Sequence, residues 1–120
     1  MKYALLIYDD QHAWGKLDDQ TKGAIYEEYG KFAAGLEEKG QMRGGEELQP
    51  TTTATTVRMK DGALLTTDGP YAETKEQLGG FFLVECDTLD EAIEAAGKIP
   101  SVKQGGIIEV RPIVEDQPHE

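Results

Sequence analysis

Two short segments of this chain are apolar on both of their alternating sets of side chains, and this limits what the chain can fold into more than any other feature. Lys2 to Tyr8 reads KYALLIY, with Tyr3, Leu5 and Ile7 on one set and Ala4, Leu6 and Tyr8 on the other. Gly79 to Cys86 reads GGFFLVEC and behaves in the same way. Successive side chains of a strand point to opposite faces, so each segment predicts a strand that needs cover on both faces and a place at the centre of its sheet.

The stretches between them supply the rest of the pattern. From Asp18 to Lys39, Ile25, Tyr29, Phe32, Ala33 and Leu36 recur at helical spacing, with Glu27, Glu28, Lys31, Glu37 and Glu38 on the opposite side, which predicts an amphipathic helix capped by Gly40. Gly44-Gly45 then opens a stretch read as irregular through Pro50. Thr51 to Met59 is rich in β-branched residues, and Asp61-Gly62 separates it from Ala63 to Thr67, the signature of a hairpin whose polar arm suits a sheet edge. Thr88-Leu89-Asp90-Glu91 has capping-box spacing, and Leu89, Ala92, Ile93 and Ala96 form a second helical stripe ending at Gly97 and Pro100. The last strand, Ile107 to Val114, contains Pro112, which cannot donate to a ladder and so belongs at an edge.

The resulting order is a ferredoxin-like βαββαβ with an extra hairpin strand: an α+β fold with an antiparallel sheet. Its first and third strands are central, where the two doubly apolar segments fall. Right-handed crossovers put both helices on one face of the sheet. The other face would then expose large apolar side chains, of the kind that mark an interface, so a homodimer packed sheet against sheet is expected. One domain over residues 1–114 and a polar tail over 115–120 account for the chain.

Twelve Lys and Arg stand against twenty-three Asp and Glu, a formal charge of -11 that repels nucleic-acid backbones and anionic lipid surfaces. Direct nucleic-acid binding and a membrane role are therefore not expected. The single cysteine, Cys86, excludes an intrachain disulfide and reads as a buried, inert thiol. Tyr3 to Asp9 is too short for a secretory core with a cleavage site, so a cytoplasmic location is expected.

The passage Asp68-Gly69-Pro70-Tyr71-Ala72-Glu73-Thr74-Lys75-Glu76-Gln77-Leu78-Gly79-Gly80-Phe81-Phe82 resembles the signature stretch of the DGPF branch of YCII-related proteins, with Tyr71 where that branch has Phe. The opening KYALLIY, the capped helix up to Ile99-Pro100 and the closing Ile108 to Pro112 also look like that branch. The resemblance implies a ferredoxin-like fold, a dimeric α/β-barrel assembly and an association with extracytoplasmic-function sigma factors. In other branches a His on the first helix pairs with an Asp just before the Pro that ends the second. Here the first helix has no His and Ile99 precedes Pro100, while His12 and His119 lie elsewhere, so that pair does not carry over.

For chemistry, Asp68-Gly69-Pro70 reads either as a turn or as part of a site in which Asp68, Glu73 and Glu76 gather beside Lys75 and could bind a cation or share a proton. Asp68 and Glu76 are the catalytic candidates, and Asp68, Tyr71, Glu73, Lys75, Glu76, Glu109 and Arg111 the ligand-binding ones. Arg111 offers a planar bidentate fork for a carboxylate, unless it pairs with Glu109 or bridges to Asp68 or Glu76. Gly79-Gly80 reads as a close backbone approach or a bulge. No Walker loop, dinucleotide fingerprint, Cys/His metal spacing or nucleophile elbow is present, so no metal or cofactor is expected. Three readings follow: a small-molecule binder or enzyme using a cavity at the dimer interface, a regulatory module for a protein such as a sigma factor, or a scaffold without catalysis.

Overall fold

A computed structural model describes residues 1–115. Its elements are β1 (Lys2–Asp9), α1 (Gln11–Gly15), α2 (Asp19–Glu38), β2 (Met42–Glu47), β3 (Thr55–Lys60), β4 (Ala63–Asp68), β5 (Gln77–Glu85), α3 (Leu89–Gly97) and β6 (Ile107–Pro112), with 3-10 turns at Thr51–Thr53 and Pro100–Gln104. Four strands form an antiparallel sheet in the order β2-β5-β1-β6, while β3 and β4 pair only with each other. Without the hairpin, this is the ferredoxin-like βαββαβ arrangement, with β1 and β5 central as their doubly apolar sequences require.

The register separates the two faces. Tyr3 pairs with Val84, Leu5 with Phe82 and Ile7 with Gly80 across β5, and the same three oppose Pro112, Val110 and Ile108 across β6. This face carries the core, where Tyr3, Leu5, Ile7, Val84 and Cys86 meet Leu36 of α2, Ala92, Ala95 and Ala96 of α3, and Ile99. Both helices therefore cover one side, and Ala4, Leu6, Phe81 and Leu83 are left half-buried on the other.

Local chemistry sets the helix ends. Asp18 caps α2 by accepting from the Thr21 amide at 2.7 Å. At the other end Gly40 takes φ 70°, Gly40 N donates to Glu37 O and Gln41 N donates to Leu36 O, which is a Schellman closure. Thr88 Oγ1 accepts from Glu91 N, and the Glu91 carboxylate accepts from Asp87 N at 3.0 Å, so the capping box forms with its return bond one residue early. Asp61 and Gly62 both have positive φ, 52° and 78°, as a two-residue type I′ hairpin demands.

Several expectations need correction. The segment read as irregular contains β2, an edge strand of the main sheet, and the threonine-rich hairpin stands outside that sheet instead of forming its edge. Strand propensity hides β2 because its sequence is MRGGEE, yet its glycines are what let it pair. A Cβ on Gly45 would come within 2.7 Å of Phe81 O, and one on Gly80 within 2.8 Å of Glu46 O. Gly79-Gly80 serves both of the roles read for it, since β5 also bulges opposite Ile7 and Tyr8. The loop after β1 contains the short helix α1, capped by Asp10. In α3 the buried stripe is Ala92, Ala95 and Ala96, continued by Ile99, while Leu89 and Ile93 face solvent about half exposed. Small side chains let that helix approach the sheet closely.

Candidate functional site

The open face of the sheet carries a polar group on its edge strand β6. On β6 the residues alternate, so Ile108 and Val110 enter the core while Glu109 and Arg111 project from the uncovered side, opposite Leu6 and Ala4 of β1. Arg111 Nε donates to Glu109 Oε2 at 3.0 Å and Arg111 Nη2 donates to the same oxygen. The Tyr8 hydroxyl donates to Glu109 Oε1 at 3.4 Å. Of the alternatives for Arg111, mutual pairing with Glu109 is the one formed, and the hydrogen bond with Glu109 holds the guanidinium pKa above its ordinary value. Its remaining N–H groups, those of Nη1 among them, point to no partner among the described residues and stay available to an acceptor. Tyr8, Glu109 and Arg111 thus form a polar corner beside the apolar Leu6, Phe81 and Leu83.

The motif residues do not converge on that corner. Asp68 ends β4, exposed, directly opposite Thr55. Gly69 takes φ 100° and its amide donates to Ala54 O at 2.7 Å, so the Asp-Gly-Pro stretch acts as the turn that closes the hairpin base. Tyr71 is 83% exposed, Glu73 and Lys75 are exposed, and Glu76 is half-buried with its carbonyl accepting from Thr74 Oγ1. Gln77, outside the residues singled out from sequence, organises this loop: its Nε2 donates to the carbonyls of Ala72 and Thr74, each at 3.0 Å. Among the described residues the ion pairs are Met1 amino–Glu85, Lys98–Glu94, Lys103–Glu28 and Arg111–Glu109. None joins Asp68, Glu73 or Glu76 to Lys75 or to Arg111. No group of three or more metal-ligating side chains occurs among the described residues, so the carboxylates of the motif do not gather into a cation cage. A shallow cleft of about 420 Å³ lies between the hairpin and Tyr71, lined by Arg58, Lys60 and Thr67.

At the helix-covered end of the sheet a second polar group appears that sequence reading missed. Asp9 closes β1 half-buried, and burial, with Asp10 and Glu47 nearby, pushes its carboxyl pKa upward. Tyr29 of α2 stacks on Phe82 at 6.3 Å between centroids, and burial raises its phenol pKa although the Ser101 hydroxyl beside it acts in the opposite direction. Ser101 is buried, and its Oγ meets no hydrogen-bond partner among the described residues. Tyr26 donates to Glu47 at 2.9 Å and meets the Trp14 ring edge-on at 5.5 Å, so Trp14 serves as a packing residue. Tyr29 sits on a helical apolar stripe and read as core; only Asp9, a carboxylate ending a doubly apolar strand, carried a sequence signal. Ile99, where other branches carry their Asp, is 1% exposed in the core. His12 lies exposed on α1, and His119 falls outside the described residues, as does the predicted tail apart from Glu115. Cys86 is buried, and burial raises its thiol pKa, in keeping with an inert cysteine.

Among the described residues no helix is long and apolar enough to cross a membrane. The chain is 37% identical over 124 residues, covering all of this chain and 98% of the relative, to an uncharacterised protein of Rhizobium meliloti (strain 1021). The profile of the YCII-related domain matches residues 1–116, the span that holds the ferredoxin-like sheet, its two packed helices and the hairpin, and the chain belongs to the YCII-related domain family.

Proposed function

We propose that two copies of this chain face one another through their open sheets and bind a small organic acid in the chamber between them. The observation that supports this reading is the composition of the uncovered face: half-buried Leu6, Phe81 and Leu83 beside a polar corner whose Arg111 retains unengaged N–H groups. Apolar walls with one oriented cation are what a carboxylate ligand needs, since the walls exclude water and the fork fixes orientation. Glu109 and Tyr8 hold the guanidinium plane in place. Asp68, Tyr71, Glu73, Lys75 and Glu76 precede or open β5 at its Asp9 end, away from Arg111 opposite Ala4, and no role in this reading is assigned to them.

The test is a thermal-shift screen of mono- and dicarboxylates at millimolar concentration against the wild-type chain and Arg111→Gln. A ligand present at about a hundred times its dissociation constant stabilises by roughly 2.7 kcal/mol, which is several degrees for a domain of this size. Wild type should shift by that amount and Arg111→Gln should not. Equal shifts in both proteins, or none in wild type, would remove the proposal.

A second reading draws on the outer face of α2, where Glu27, Glu28, Glu37 and Glu38 are all exposed. It takes that face as the dock for a regulatory protein such as an extracytoplasmic-function sigma factor. A pull-down at low salt that retrieves no sigma factor would count against it.

A further inference from the structure

The polar group at the helix-covered end of the sheet has an unmet demand for hydrogen-bond donors. Three carboxylates meet there: Asp9 at the end of β1, Asp10 after it and Glu47 at the end of β2. Asp10 accepts from the amides of His12 and Ala13, and Glu47 accepts from the Tyr26 hydroxyl, so both are engaged. Asp9 enters none of the ion pairs among the described residues, and only burial and those two like charges act on it. A half-buried carboxylate that neither a cation nor a donor compensates is costly to the fold, and a ligand that supplies both gains what the fold lacks.

Two hydroxyls belong to the same spot. Alternation carries Asp9 to the side of Tyr3, Leu5 and Ile7, where Tyr29 of α2 stacks on Phe82 with Ser101 beside its phenol. Tyr8 opposes Ile107, so the register runs on to Asp9 and Gly106, and Ser101 Oγ lies 3.1 Å from where a Cβ on Gly106 would stand. Ser101 is 6% exposed, and its Oγ has no partner among the described residues. Glycine makes room on the other side too: β5 bulges at Gly79, and a Cβ there would come within 3.1 Å of Asp9 Oδ1. Asp9 and Tyr29 are only half-buried, which leaves a way in from solvent.

We propose that Asp9, Tyr29 and Ser101 bind the ammonium group of a small primary amine. Donors match acceptors: a protonated amine carries three N–H groups and accepts nothing, and the site offers one carboxylate and two hydroxyl oxygens. The like charges of Asp10 and Glu47 attract such a ligand and repel an anion. A metal ion fits less well, because no three metal-ligating side chains gather among the described residues. The site lies on the opposite side of the sheet from Arg111 and needs no second copy, so it stands apart from the carboxylate chamber proposed above.

The test is a titration of the isotope-labelled full chain with methylammonium chloride at constant ionic strength, read by amide NMR shifts. Tetramethylammonium chloride is the comparison, a cation of equal charge without N–H groups. Methylammonium should move the Gly79, Ser101 and Gly106 amides along a saturable curve with a millimolar dissociation constant, as befits so small a ligand, and tetramethylammonium should not. Asp9→Asn should weaken binding about tenfold or more and Ser101→Ala about threefold or more. Asp61→Asn removes the same charge at the hairpin tip, where asparagine suits the turn, and should leave the affinity within about twofold. Asp9→Asn relieves a buried charge, so its fold is not at risk. Shifts that stay linear in methylammonium to about 100 mM, equal shifts with tetramethylammonium, or unchanged affinity in Asp9→Asn or Ser101→Ala would overturn the site. None of these results bears on Arg111 or on the pairing of copies.

Discussion

Replacing Gly80 by alanine tests whether β2 is held in the sheet by glycine-permitted contact. Gly80 has no positive φ, so alanine brings no backbone strain, and the effect is steric. The new Cβ would sit 2.8 Å from Glu46 O and 3.4 Å from Glu47 Cα, and neither atom belongs to a side chain that could swing away. β2 must move outward, which weakens the ladder that joins it to β5, the one strand it pairs with. Overpacking of this kind costs about 1–3 kcal/mol, offset by about 0.4–1 kcal/mol from the stiffer unfolded chain. The net is a loss of up to roughly 2.6 kcal/mol, or up to about 10 °C in Tm at roughly 4 °C per kcal/mol. Gly30→Ala is the internal control: it lies mid-helix in α2 with nothing within 4 Å of the added methyl, so it should gain about 0.5–1 kcal/mol. Differential scanning calorimetry of the two variants should show opposite signs. A Gly80→Ala protein that melts at or above wild type would refute the close-approach reasoning.

Asp9→Asn should stabilise the fold at neutral pH. The folded-state pKa of Asp9 is raised by burial, so the fold prefers the neutral carboxyl, and its relative stability is lost as pH rises from the ordinary aspartate range through the folded value. Asparagine avoids that loss, and the advantage should disappear below about pH 3, where aspartate is protonated in both states. A constant difference across pH, measured by thermal denaturation, would show that Asp9 acts through packing instead. Cys86, buried and with a raised pKa, should resist a thiol reagent in native buffer and react at once in denaturant; rapid native labelling would contradict its burial.

The central strands were legible in the sequence because their constraint is local: a run that is apolar on both alternating sets has few places to go, and β1 and β5 occupy the centre of the sheet. The helix ends were legible for the same reason, since Asp18, Gly40 and Thr88 act within a turn of their own position. β2 was not, because MRGGEE pairs through what its neighbour lacks, a side chain at Gly80, and that is a property of two segments more than thirty residues apart. The candidate site divides in a similar way. Glu109 and Arg111 follow from simple alternation on one strand, and the structure pairs them on the open face. The Asp68 to Glu76 group suggested convergence because its charges are close in sequence, but a hairpin base and a loop held by Gln77 spread them out. Asp9, Tyr29 and Ser101 come from β1, α2 and the turn after α3, and only tertiary packing brings them together.

Sedimentation equilibrium of the wild-type protein at micromolar concentration bears most directly on the open face, because the proposed chamber requires a second copy to cover its apolar side chains. A mass near twice the 13.2 kDa of one chain is expected, falling toward a single chain on dilution. A well-behaved 13.2 kDa particle at every concentration would contradict the shared chamber, and with it the proposed ligand.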